Sequence, residues 1–197
     1  MIHRLLAVVV TALVFVPAAA AVQAHVRVEG MSRTVFGPTA PTLDVKANAL
    51  DALDAASVAG EFYFHVQATA FGPYVDQVGR YAGAGETGWV FKVNGKSPPV
   101  GADQVKLADG DTVLWYWAQF GIAGGPKTLV LKQTKPYCYA ATLQDDNGVE
   151  TPAAGAVLHV GSRRSVPTPG GAACVGKHAG LLVRATLGGA VRSNALA

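Results

Sequence analysis

Gly88-Trp-Val-Phe-Lys-Val-Asn-Gly95 and Leu107-Ala-Asp-Gly-Asp-Thr-Val-Leu-Trp-Tyr-Trp117 decide how this chain of 197 residues folds. In the first segment Trp89, Phe91 and Val93 alternate with Val90 and Lys92 and run into Asn94-Gly95. That is a half-buried strand entering a tight turn, because Asn-Gly tolerates the positive φ that a two-residue hairpin turn demands. In the second, Asp109-Gly110-Asp111 is a turn, and Val113 to Trp117 is a run of strand formers. Two aromatic strands joined by a polar, proline-containing loop predict a small sheet domain. Asp109 and Asp111 flank a glycine and read as turn formers rather than as acids of a catalytic pair.

Upstream, His25-Val-Arg-Val-Glu29 alternates with period two, and Thr34-Val-Phe36 starts a second strand after a polar turn. Val45 to Ala56 is the one convincing helix: Val45, Ala49, Leu53 and Ala56 share a face, and Ser57 and Gly60 end it. Glu61 to Val66 alternates again, with Phe62, Phe64 and Val66 opposite Tyr63 and His65. The order ββαβββ predicts an α+β, β-grasp-like domain, one helix across one face of a mixed sheet. The larger aromatics, Trp89, Trp115 and Trp117, are expected in its core. Tyr63, His65, Lys92 and Tyr116 then line the uncovered sheet face, a contact surface for a ligand or partner.

The segments Phe71 to Gly79 (FGPYVDQVG), GWVFKVNG and LADGDTVLWYW resemble the C-terminal β-domain of transcobalamin and intrinsic factor. They resemble more closely a bacterial exported family of unknown function that shares this domain. VRVEG followed by TVFGPTAPTLD fits the same family, and the resemblance spans roughly residues 25–121. It implies a fold more than an activity. Cobalamin carriers place a helical barrel before this domain and hold the vitamin between the two. This sequence has no such barrel, so the resemblance implies cobalamin binding only weakly.

Phe120-Gly-Ile-Ala-Gly-Gly-Pro126 marks a boundary, with residues 122–126 as linker. The remainder, 127–197, reads as a small all-β sandwich. Thr128–Lys132 and Tyr137–Leu143 alternate, and Asp145-Asp-Asn-Gly148 is a turn. Pro152 to Val160 resembles the opening of transthyretin-like or carboxypeptidase-regulatory-like modules, and Gly180–Ala185 and Gly189–Ser193 match their later strands. Cys138 and Cys174 are the only cysteines, and in an exported chain an even pair predicts one disulfide.

Export itself is predicted by the start of the chain. His3 and Arg4 precede an apolar run from Leu5 to Val16, then Pro17 and an alanine tract. Residues 1–24 read as a signal peptide cut after Ala24, with Ala20 the alternative, which makes the mature protein secreted, extracellular or periplasmic, with no membrane insertion after removal. Charge divides between the halves. Residues 25–121 hold seven Lys/Arg against ten Asp/Glu, and 122–197 hold eight against three. The basic half suits an anionic partner such as a cell-surface polymer, while export and the lack of a basic-aromatic patch disfavour nucleic acid.

No serine sits in a nucleophile elbow, and His25, His65, His159 and His178 lack metal-ligand spacing. The expectation is a non-enzymatic binding or cell-surface interaction protein with no cofactor and no metal, whose partner is an unidentified protein, polymer or small ligand. Two alternatives stand: a component of a small-molecule, cobalamin-like carrier, or a copper protein. In the latter, cleavage after Ala24 frees the His25 amine, which with its Nδ1 chelates copper, and His65 is a second ligand.

Overall fold

The structure, a computed structural model, describes residues 21–121 and 124–197. The predicted signal segment therefore lies, up to residue 20, outside the described residues. These described residues are mostly β with one helix.

The first half contains β1 (Val22–Glu29), β2 (Thr34–Phe36), β3 (Thr42–Val45), α1 (Ala49–Gly60), β4 (Phe64–Thr69), β5 (Gly72–Val78), β6 (Tyr81–Ala82), β7 (Thr87–Val93) and β8 (Thr112–Gln119). Its main sheet runs β2-β1-β8-β7, and β3 also pairs with β1. β1 lies parallel to β8, and β7 and β8 are antiparallel in the register Trp89↔Trp117, Phe91↔Trp115, Val93↔Val113. Strands β4, β5 and β6 form a separate ribbon. α1 buries Ala49, Ala52, Leu53 and Ala56 against one face of the main sheet. Trp89 and Trp115 lie in this core. Trp115 Nε1 donates to the Ala49 carbonyl at 3.0 Å, and Trp89 Nε1 to that of Tyr81 at 2.8 Å. Buried indoles thus keep their polar edge satisfied.

The helix begins four residues later than periodicity predicted. Asn48 accepts hydrogen bonds from Leu50 and Asp51 backbone N–H groups, and Asp51 reaches back to those of Ala47 and Asn48. This capping box fixes the first turn, since it satisfies amides that the helix leaves orphaned. Val45, assigned to the helix by spacing, instead pairs with Val22 in β3. The far end runs through Ser57 to Gly60, where Glu61 turns left-handed at φ 50°. The strand expected from Glu61 begins only at Phe64 for the same reason.

The second half contains β9 (Thr128–Lys135), β10 (Cys138–Gln144), β11 (Glu150–Pro152), β12 (Ala156–Val160), β13 (Arg164–Thr168), β14 (Ala172–Cys174), β15 (Val183–Thr186) and β16 (Ala195–Leu196). In one sheet β10 pairs with β9 along one edge and with β11 and β14 along the other; the second sheet is β13-β12-β15-β16. Leu129, Leu131, Tyr139 and Ala141 from the first and Leu158, Val160, Val183 and Ala185 from the second fill the core between them. Cys138 and Cys174 face each other across β10 and β14 and are joined by a disulfide, as the sequence predicted.

The two halves are docked rather than strung on a free linker. Gly121 and Gly124 exchange backbone hydrogen bonds, Ser97 N–H of the first half donates to the Asp146 carbonyl, and Ala195 N–H donates to the Pro38 carbonyl of the first half.

Candidate functional site

The site is built on the face of the main sheet that α1 leaves bare. Strand register aligns side chains in rows across β1, β8 and β7. Arg27 stands beside Leu114, and Leu114 beside Lys92. The next row is Glu29, Tyr116 and Val90. Alternation puts these residues opposite Val26, Val28, Val113 and Trp115, which meet the helix.

This face is not open. Glu29 is completely buried, Lys92 is 1% exposed and Tyr116 2%. The second half covers them. Glu29 accepts hydrogen bonds from Arg184 at 2.7 Å and Arg192 at 3.0 Å across the boundary, and from Arg27 at 3.3 Å and Thr34 on its own side. Lys92 Nζ crosses the boundary too, donating to the carbonyls of Asp145 at 2.7 Å and Gln144 at 3.2 Å and to Thr128 Oγ1 at 3.2 Å. Burying a charge is costly unless it is paired and hydrogen-bonded, and each of these charges is. Burial brings Arg27 down to about 10 despite the pull of Glu29. It also lowers Lys92, opposed by Asp146 at 3.6 Å. Tyr116 is pushed up to about 12, first by burial and then by the charge of Asp146.

The four residues expected on one contact surface therefore separate into two places. Lys92 and Tyr116 belong to the boundary between the halves. His65 lies on the far ribbon, its Nδ1 2.6 Å from Asp76 Oδ1, and Tyr63, just before that ribbon's first strand, is 60% exposed. The expectation failed because it treated the sheet as ending at the domain boundary, whereas the C-terminal half supplies its second cover.

Between the sheet and this second cover a cavity of about 480 Å³ remains. Its floor is the row Arg27, Leu114 and Lys92, with His25 and Asn94 toward one end. β9 roofs it with Thr128, Leu129 and Val130. That size falls in the range of small-molecule sites, roughly 300–1,000 Å³, which concentrate where two structural units meet. His25 lies inside β1: its backbone N–H donates to Asp111 at 2.8 Å and its Nδ1 is 3.1 Å from Thr42 Oγ1. The other histidines are tied to structural partners, His159 to Thr186 and Ser165, and His178 to the Tyr139 hydroxyl. Among the described residues no cluster of three His, Cys, Asp or Glu could hold a metal ion. No helix among them is long and apolar enough to cross a membrane.

Residues 47–119 match a family described as a domain of unknown function (DUF4430). The matched segment runs from the cap of α1 through β8. It thus contains Leu114, Lys92 and Tyr116, while Arg27, Glu29 and the whole covering half lie outside it. No curated protein matches the chain.

Sequence reasoning missed Arg27, Glu29, Arg184 and Arg192. A signal was present. Arg27 and Glu29 share the polar parity of β1, and the basic second half had a surplus to match the acidic first.

Proposed function

We propose that this is an exported, non-enzymatic binding protein whose ligand lodges in the cavity between the two halves. The observation that carries the reading is the cavity itself, floored by a sheet row and roofed by β9. Export is supported by the signal-like start of the sequence and by the disulfide between β10 and β14. The non-enzymatic reading is supported by how the polar groups are employed. Lys92 spends its donors on Thr128, Gln144 and Asp145, and His25 rests against Thr42, so neither stands ready beside a nucleophile.

The first half we read as β-grasp-like, with its likeness to the transcobalamin and intrinsic factor C-terminal β-domain as support. A cobalamin-like ligand on this sheet face would have to displace the second half, which fills it. The copper reading requires the His25 nitrogen as a free amine, and that nitrogen is the one bonded to Asp111. A second contact surface is favoured by one observation. Phe71 is 94% exposed at the β4–β5 turn, on the same ribbon as the exposed Tyr74. It suits an extracellular protein or polymer partner.

The cavity reading is tested by extracting natively purified mature protein and analysing the released small molecules by mass spectrometry. Leu114→Trp fills the floor and serves as the control. A compound recovered in stoichiometric amount from wild type, unaltered after long incubation, and absent from the variant supports the reading. Equal recovery from both proteins rejects it.

A further inference from the structure

We propose that the cavity recognises a small carboxylate with an apolar body, and that Arg27 is the anchor for its head group. The proposal rests on the cavity being the binding site and adds the chemical class of its ligand.

Charge is the first argument. Three guanidiniums, Arg27, Arg184 and Arg192, surround the single carboxylate of Glu29. The cluster carries more cation than anion in a place withdrawn from water, where an uncompensated charge is expensive. No carboxylate lines the cavity, and its floor holds a second cation, Lys92, one strand beyond Leu114. Each of these cations has its own partners, but the lining offers cations and no anion, so the field in the cavity favours a negatively charged guest.

Free valence is the second. Arg184 gives Nη1 to Thr34 and Nη2 to Glu29 and Ser193, and its remaining Nε is sealed from solvent without a partner, away from the cavity lining. Arg192 gives Nε to Glu29 and its two terminal nitrogens to the carbonyls of Gly30 and Met31. Lys92 is likewise saturated. Arg27 differs. Its Nη1 serves Glu29 and the Arg192 carbonyl, whereas its Nε and Nη2 make no hydrogen bond among the described residues and are not sealed from solvent. The Arg27 side chain borders the cavity, so these donors have only the cavity to serve. A guanidinium offering two N–H groups side by side matches the two oxygens of a carboxylate.

The walls fix the rest of the ligand. Leu114 stands next to Arg27 on the floor, and Val130 stands in the roof. An apolar chain leaving the carboxylate meets these side chains and gains by burial.

Titration calorimetry of the full mature chain with octanoate, octanamide and octylamine separates the possibilities. Octanoate should bind saturably, at least tenfold tighter than octanamide, with octylamine weakest. Arg27→Lys, which keeps the charge and loses the fork, should weaken octanoate about tenfold and leave octanamide unchanged. Leu114→Trp should abolish binding of both, with circular dichroism and melting behaviour preserved. Octanamide equal to octanoate, both lost in Leu114→Trp, would overturn the carboxylate assignment and leave the cavity reading standing. Octanoate binding indifferent to both substitutions would overturn the site as well. No binding of any of the three compounds would overturn the proposal. Should Arg27→Lys unfold the chain, the octanoate-to-octanamide ratio in the wild-type protein decides alone.

Discussion

Arg184 of the second half places its Nη2 2.7 Å from Oε1 of Glu29 in the first, and that carboxylate has no exposure to solvent. The contact joins residues 155 apart in sequence and ties the two sheets into one body. It also reassigns the charge asymmetry of the sequence. The anionic partner of the basic half is, in this place, the chain's own acidic half.

Glu29→Gln should be among the most destabilising single substitutions. It leaves Arg27, Arg184 and Arg192 facing one another without their common anion. Breaking a buried ion pair by removing one partner costs about 3–5 kcal/mol. Denaturant unfolding followed by tryptophan fluorescence measures it, and a loss below about 1 kcal/mol would show the cluster to be hydrated.

Tyr116 and Tyr63 should part company on substitution. Tyr116→Ser removes a fully covered ring and should cost about 3–5 kcal/mol, as should Trp115→Ala. Tyr63→Ser alters an exposed side chain and should stay within about 0.5 kcal/mol. Equal effects of the two tyrosine changes would mean that the second half does not cover the sheet.

Alkaline pH probes the same cover. With its folded-state pKa raised to about 12, Tyr116 favours the fold in its neutral form. Its contribution is complete below the unfolded value of about 10 and is lost as pH climbs toward 12. Absorbance of phenolate near 295 nm should show a late step that Tyr116→Phe removes. An unchanged titration curve in that variant would contradict the burial.

Processing of the N-terminus should follow the strand. Val22, Gln23 and Ala24 pair with Val45, Asp44 and Leu43, and Ala24 is fully buried in the helix-side core. Cleavage after Ala24 would strip three residues of pairing from β1, so the mature chain should begin at Ala21. N-terminal sequencing of secreted protein decides between this and His25, and a His25 start would restore the copper reading.

The elements legible in sequence were those whose periodicity has one cause. β7 and β8 alternate because one face meets α1, and Trp89 and Trp115 are in the core as expected. The disulfide followed from a count of two cysteines. Boundaries were lost where side-chain bonding overrode spacing, as at Asn48 and Asp51. The candidate surface was lost for a different reason. Lys92 and Tyr116 look like a solvated face because a half-polar alternation signals one cover. A second cover made of polar and charged partners leaves the same pattern, since Lys92 is accommodated by carbonyls and Glu29 by arginines. Hydrophobicity cannot distinguish a wet face from a face dried by ion pairs. Parity and charge balance pointed toward Arg27 and Glu29, but their partners became specific only once the distant Arg184 and Arg192 were placed beside them.

The parallel pairing of β1 with β8 has a consequence for how the protein comes into being. Gln23 and Asp109, at the start of that pairing, bond across 86 residues of chain. During synthesis β1 is the first of the described strands to emerge, yet one of its edges stays vacant until β8 arrives. Long-range pairing of this kind is slow and leaves an unprotected edge meanwhile. The nascent chain thus has a window in which β1 can recruit the wrong strand. A guardian that binds extended segments would shorten that window. Slowed synthesis would lengthen it, so the yield of folded protein is set by the timing of its delivery as much as by the strength of its finished contacts.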